Sequence, residues 1–417
     1  MSYSTTERAF PECIASTNST TYPTSVSKSP QQQRAVSDSS TLASADSHLQ
    51  CRKGSNFFKS AQWSSDGTTI LTSSEDNKFR TFVLPTDLLE PSEEPHPLTS
   101  YCASVAPEPA YASCLYPYFN LQDSRTTIHL SSPRDHPISL LSTIFPSDGK
   151  VNPKLSSYPL IHAPTETYLT PHSLIFTASG THFLAGSDSL ISLFDISRTG
   201  GPPVTQLPTI PSKRKKLVGG GVGMKGIVSA LASSNSLSAG DEQQTASILL
   251  AAGTFTRHVG LYDAEGSGGC VSLFSVSGDG SSARDEDHSS SRGSGAGITQ
   301  LSWSNCSRYL FVSERKSDCV IVYDIRVAGK RLGRLTGRNA QTNQRLGVSI
   351  FHTQDGGDEV WAGGVDGVVR VWKHAIEVEG ESKPDWEWKA HDEKAKPPFA
   401  TESFRIVAYK VIELQQQ

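Results

Sequence analysis

A strand–turn–strand–turn–strand phrase recurs along this chain. A unit of that size that repeats can bury its apolar faces only by stacking against its own copies. Four copies are regular: FFKSAQWSSDGTTILTSSEDNKFRTFVL from Phe57, HSLIFTASGTHFLAGSDSLISLFDI from His172, GITQLSWSNCSRYLFVSERKSDCVIVYDIR from Gly297 and NQRLGVSIFHTQDGGDEVWAGGVDGVVRVWK from Asn343. Two looser copies begin at Tyr111 and Gly226. Each has an alternating apolar strand, a polar turn (often S-x-D-G), a second strand ending in small residues, a short charged turn, and a third strand ending in an aromatic residue or Leu. Alternation at period two with closely spaced turns is the signature of strands joined as hairpins.

The expected fold class is all-β, a β-propeller of seven blades with an irregular or incomplete last blade. With 33 Gly and 24 Pro among 417 residues, turn formers are plentiful, as short strands require. Copies start farther apart than the roughly 40–45 residues of a typical blade. The surplus falls in inserts at 198–225, 233–246 and 277–297, expected to lack strands. Residues 1–50, dominated by Ser, Thr and Gln, are expected to be disordered, and 51–417 to form the propeller. Six clear repeats occupy 57–391, and 392–417 is an irregular closing segment with two consecutive prolines. Either that tail and a strand before Phe57 improvise the last blade, or the tail is aberrant.

Seven cysteines, an odd number without C-x-x-C spacing, read as free thiols in a reducing compartment. No apolar run is long enough to cross a bilayer, so no membrane partner is expected. No nucleophile, base and oxyanion donor form a set, so no catalytic residues, metal or cofactor are expected, and no small-molecule substrate. G-V-G-M-K-G from Gly221 lacks the strand before and helix after that a dinucleotide site needs. Asp195, Asp263 and Asp324 after third strands read as turn-closing residues, and Trp63, Trp303 and Trp372 as blade core. His172, His258 and His391 are isolated from other ligand types.

Several motifs occur in an order that resembles the telomerase Cajal-body protein family of WD-repeat RNA chaperones. They are N-F-F-K-x-x-x-W-S-x-D-G-T-x-I-L-T-x-S-x-D-N-x-x-R over 56–80, S-S-P-R-D-H-P-I from Ser131, T-F-T-R-H-V-G-L-Y-D from Thr254, E-R-K-S-D from Glu314 and T-N-Q-R from Thr342. The resemblance spans about 56–391. It implies a WD-repeat β-propeller that binds small non-coding RNA, telomerase RNA among the candidates, supports ribonucleoprotein assembly or localisation with ribonucleoprotein proteins, and resides in the nucleus (Cajal body or nucleoplasm) and also the cytoplasm. The chain is expected to be a monomer.

In a WD blade the turn between the second and third strands shares a rim with the link into the next blade. That places Arg134, Arg257, Arg315 and Lys316 in such turns, and Asn343, Gln344 and Arg345 in a link, all facing one way. Although the net charge is −4, the stretch 325–354 carries Arg326, Lys330, Arg331, Arg334, Arg338 and Arg345 and no acidic residue. Arginine forks suit phosphate oxygens, and Asn and Gln suit base edges. The expected RNA-binding set is therefore Arg134, Arg257, Arg315, Lys316, Arg338, Asn343, Gln344 and Arg345. The bland alternative is that turn arginines pair with carboxylates on neighbouring blades, and a protein–protein adaptor without RNA is the competing function. Lys213, Arg214, Lys215 and Lys216 form a basic cluster that reads as a nuclear localisation signal.

Overall fold

The computed structural model describes residues 12–17, 56–146, 153–210, 223–234, 248–263, 268–276, 295–327, 329–353, 357–377, 379–390 and 407–410. Those residues are all-β and form a ring of six four-stranded antiparallel blades, one fewer than the seven expected. Blade 1 is Phe58–Trp63, Thr69–Ser74, Lys78–Val83 and Cys102–Val105. Blade 2 is Ala110–Leu115, Ile128–Pro133, Ile138–Ser142 and Lys154–Tyr158. Blade 3 is Ser173–Phe176, His182–Ser187, Leu190–Asp195 and Thr205–Pro208. Blade 4 is Val228–Ser233, Leu249–Thr254, His258–Asp263 and Cys270–Ser275. Blade 5 is Ile298–Trp303, Tyr309–Glu314, Cys319–Asp324 and Lys330–Thr336. Blade 6 is Val348–His352, Asp358–Gly363, Val368–Trp372 and Trp386–Lys389.

Two sequence expectations need correction. The insert at 198–225 contains the outer strand of blade 3, Thr205–Pro208, because polar outer strands carry no apolar run to betray them. Within 1–50, Glu12–Ser16 is a strand; it pairs antiparallel with Val407–Lys410 and parallel with the short strand His96–Pro97. The segments 211–222, 235–247 and 277–294 lie outside the described residues.

Both faces of an inner blade are apolar, so each blade is buried by its neighbours. Between blades 2 and 3, Phe183 and Phe194 stack with ring centroids 5.0 Å apart and Tyr158 meets both edge-on. Between blades 5 and 6, Phe311, Val320 and Val322 meet Val348, Val360 and Trp372. Side-chain hydrogen bonds tie four of the first strands to the next. Gln62 donates to the Ser113 carbonyl and accepts from the Leu115 amide, while Ser173 donates to Val228 O. Ser229 donates to Ile298 O, and Gln300 brackets Val348. Gly253 exists for this packing: a Cβ there would sit 2.7 Å from Ile298 Cγ2 of the following blade.

Trp303 and Trp372 are buried, as expected of blade core, but Trp63 is 55% exposed. Its strand position is right; the face it occupies has no inner strand against it among the described residues. Asp195 accepts from the Ser197 amide and hydroxyl, and Asp324 from the Arg326 amide and guanidinium, so both close turns.

His129 is a titratable group enclosed by this packing. It is 1% exposed, with Nδ1 on Thr143 Oγ1 at 2.9 Å and Nε2 without a partner, beside the Phe79 ring of blade 1. Burial pushes its pKa from 6.5 down to about 3. The folded state therefore holds it neutral, so its contribution is complete above the unfolded value and is lost as pH falls from 6.5 toward 3. Urea unfolding should show about 2 kcal/mol less stability at pH 5 than at pH 8 from this group alone. His129→Gln should flatten that dependence, and an unchanged pH profile in the variant would contradict the assignment.

Candidate nucleic-acid interface

The second-to-third-strand turn of every blade holds one residue in the left-handed region. Asn77, Asp135, Ser189, Arg257, Lys316 and Gly367 are these residues, with φ between 49° and 74°. Asn, Asp and Gly tolerate this left-handed geometry; longer side chains hold it at a cost of about 1 kcal/mol each. Blades 4 and 5 nonetheless place Arg and Lys there. These turns lie on the rim that also carries the inter-blade links, as expected from the sequence: Lys316 N donates to Thr342 O of the blade 5–6 link at 2.9 Å.

Across the mouth of the channel runs a ladder of rings and guanidinium groups. Tyr111 of blade 2 stacks on His172, at the start of blade 3, with centroids 4.5 Å apart. His172 meets Phe255, in the blade 4 turn, edge-on at 5.9 Å. The Arg315 guanidinium lies 3.8 Å from the Phe255 centroid and that of Arg345 5.8 Å from it. Arg345 also donates to the His172 carbonyl at 3.3 Å, joining positions 173 residues apart. One ring thus gathers two cations from blade 5 and the following link.

Among the described residues no carboxylate pairs with Arg315 or Arg345, and Arg315 Nε is buried without an acceptor there. Burial lowers the pKa of Arg315; burial, then the charge of Arg315, lowers that of Arg345. The same two influences act on His172, where burial and the charges of Arg345 and Arg315 push the pKa down to about 4. Like charges held against one ring repel each other, and an anion between them relieves that repulsion. Exposed Lys316 and Lys225 extend the cationic patch on either side.

The expected set divides on this geometry. Arg315, Lys316, Asn343, Gln344 and Arg345 come together at the rim, with both amide side chains exposed. Arg134 pairs with Glu108 at 2.8 Å, and Arg257 forks onto Glu314 of the neighbouring blade at 2.6 and 3.1 Å, so both follow the carboxylate-paired alternative. Arg338 leaves the set. It is 1% exposed and donates to Ser313 Oγ, Leu346 O, Gly347 O and Gly363 O. Burial pushes its pKa down to about 10. It organises the link that presents Arg345. The acid-free stretch 325–354 is not one field either, because Arg326 pairs with Asp324 at the opposite end of a six-residue strand. Lys213, Arg214, Lys215 and Lys216 lie outside the described residues.

Tyr111, His172, Phe255 and Lys225 were not selected from the sequence, because they are spread over separate repeats and only ring closure brings them together. The available signal was T-F-T-R, where an apolar ring occupies an exposed turn. Among the described residues no group of His, Cys, Asp and Glu could hold a metal ion.

No protein-family model matches the chain. It is 31% identical over 327 residues, 78% of this chain and 72% of the relative, to guanine nucleotide-binding protein negative regulator 1 of Schizosaccharomyces pombe. It is 27% identical over 322 residues (77% of this chain, 52% of the relative) to telomerase Cajal body protein 1 of Rattus norvegicus. Identity to telomerase Cajal body protein 1 of Homo sapiens is 26% over 319 residues (76% of this chain, 50% of the relative). The chain spans about half the length of these last two relatives.

The structural reading of Arg338 predicts that Arg338→Ala lowers stability by about 3 kcal/mol in urea unfolding, since it strips partners from several buried acceptors and leaves a void. A loss under 0.5 kcal/mol, within the range of ordinary surface substitutions, would contradict that role.

Proposed function

The chain belongs to the telomerase Cajal body protein family of WD-repeat propellers, and from that premise we propose that it is a non-catalytic scaffold whose rim binds small non-coding RNA. The observation that carries the reading is the un-neutralised Arg315–Arg345 pair on the Phe255 ring, beside His172 and Tyr111. A phosphate between the two guanidinium groups relieves their repulsion and supplies the acceptor that Arg315 Nε lacks. Lys316 and Lys225 hold flanking phosphates, and Asn343 and Gln344 reach base edges of an unpaired loop. Rigid propeller edges and exposed links suit single-stranded or looped RNA, whose bases are accessible, better than a duplex.

The names of the relatives called telomerase Cajal body protein support a reading in which this scaffold works with nuclear ribonucleoproteins, in the Cajal body or nucleoplasm, with telomerase RNA among its candidate cargoes. A second reading comes from the name of the fission yeast relative, a negative regulator of a guanine nucleotide-binding protein. On that reading the same rim grips a protein, and binding tolerates salt.

Fluorescence anisotropy with a labelled stem–loop RNA from 50 to 300 mM salt separates them. Each neutralised phosphate contributes about 0.7–0.9 to the slope of log K against log salt, so Arg315→Ala with Arg345→Ala should reduce its magnitude by about 1–2. Arg134→Ala, whose guanidinium is already paired, should leave the slope within error. An unchanged slope in the double variant would remove the pair from the site.

A further inference from the structure

The interface between blades 1 and 2 departs from those farther round the ring. In blade 4 the second-strand residues opposite the fourth and sixth positions of the first strand are Ala252 and Leu250. In blade 5 they are Val312 and Leu310. All four are buried in apolar clusters with the preceding blade. The same two positions in blade 2 are Ser131 and His129. They alternate on one strand and so share its face toward blade 1. Each is 1% exposed, and neither Ser131 Oγ nor His129 Nε2 has a hydrogen-bond partner among the described residues. Polar atoms in that state are rare, because burial forfeits their hydrogen bonds to water.

Ser131 lines a cavity of about 380 Å³ between the two blades, a size within the range of small-molecule sites. Blade 1 contributes the Phe79 ring, Ser104 and Ala106 to its walls, and blade 2 contributes Ser131, Ser139 and Leu141. Stacked sheets stand about 10 Å apart. Between blades 4 and 5 that space is filled by Val259 and Leu261 against Leu310 and Val312. Here serine and alanine face one another across it, and the gap that remains has the width of a flat ring. At one end stand Pro107 of the blade 1–2 link and His136 of the blade 2 turn, so the cavity reaches the rim that carries the arginine pair. Exposed Lys154 stands at the other end and is the one lining residue with a fixed charge among those described.

We propose that this slot binds a nucleobase. A planar ring matches its width, and the Phe79 ring and Leu141 cover the ring's two faces, as apolar side chains do around a base taken out of its stack. The Ser104, Ser131 and Ser139 hydroxyls can both donate and accept, which suits the mixed donors and acceptors of a base edge. Because the floor is uncharged, it favours a neutral edge over a carboxylate. The base comes either from a free nucleoside or nucleotide or from an unpaired position of an RNA on the same rim. Only the second source rests on the RNA-binding reading.

Saturation-transfer NMR of the full-length chain with adenosine, guanosine, cytidine and uridine tests the slot directly. At least one should bind the wild type. Ser131→Ala should weaken that binding about fivefold, the share of a single hydrogen bond, and Ser104→Leu, which fills the gap, should abolish it. Ser131→Ala should unfold in urea at the same midpoint or a higher one, since it removes an unpaired hydroxyl. Displacement of the nucleoside by the stem–loop RNA assigns the slot to a base of that RNA, and binding without displacement assigns it to a free nucleotide; either result supports the proposal. Nucleoside binding requires neither Arg315 nor Arg345, so failure of the rim reading leaves this measurement intact. No nucleoside binding by the wild type, with stem–loop affinity unchanged in Ser131→Ala and Ser104→Leu, would overturn the proposal. A lowered urea midpoint in Ser131→Ala would overturn it too, by showing that the hydroxyl serves the fold through ordered water.

Discussion

A twisted four-stranded sheet with two apolar faces cannot bury both by itself, and the rest of this molecule follows from that constraint. The chain meets it by laying each blade against the next and by fastening first strands to one another with side chains, through Gln62, Ser173, Ser229 and Gln300. The glycine at 253 lets the following strand approach closely enough for the aromatic and aliphatic faces to meet. The left-handed residue in each second-to-third-strand turn lets every blade reverse within a few residues. Once the ring is drawn together, side chains far apart in sequence share a surface.

The rim cluster is a product of that convergence. Phe255 holds two guanidinium groups by cation–π attraction, which is strongest where water is partly excluded. The same exclusion makes the two charges repel more than they would in water. Other rim arginines are settled by carboxylates, as Arg257 is by Glu314 and Arg80 by Asp76. The difference between settled and unsettled arginines separates architecture from function more sharply than the number of basic residues does. His172 adds to it: neutral at physiological pH because of burial and its cationic neighbours, it offers a carbonyl to Arg345 and a ring face to Tyr111.

Period-two alternation with recurring turns made the all-β propeller legible, since inward and outward residues must alternate on any stacked sheet. It also placed the rim turns and the link correctly, because hairpin direction alone decides which end of a blade they occupy. It did not reveal the strand Thr205–Pro208, whose exposed outer position asks for no apolar residues. Nor did it reveal Glu12–Ser16, which is ordered by partners near the other end of the sequence. Arg338 and Arg345 look equivalent in a row of basic residues; what divides them is whether the carbonyls of 346, 347 and 363 lie within reach, a matter of link geometry that no spacing encodes. Trp63 shows the same limit, because alternation fixes its face but not whether anything covers that face.

The most direct measurement of the central claim is ultraviolet crosslinking of the chain to RNA in its own cells, with the attached nucleotides mapped to peptides by mass spectrometry and the RNA sequenced. The account predicts adducts on peptides containing Tyr111, His172 and Phe255, carrying fragments of small non-coding RNA. Adducts confined to outer strands, or RNA at background with discrete proteins recovered instead, would contradict it.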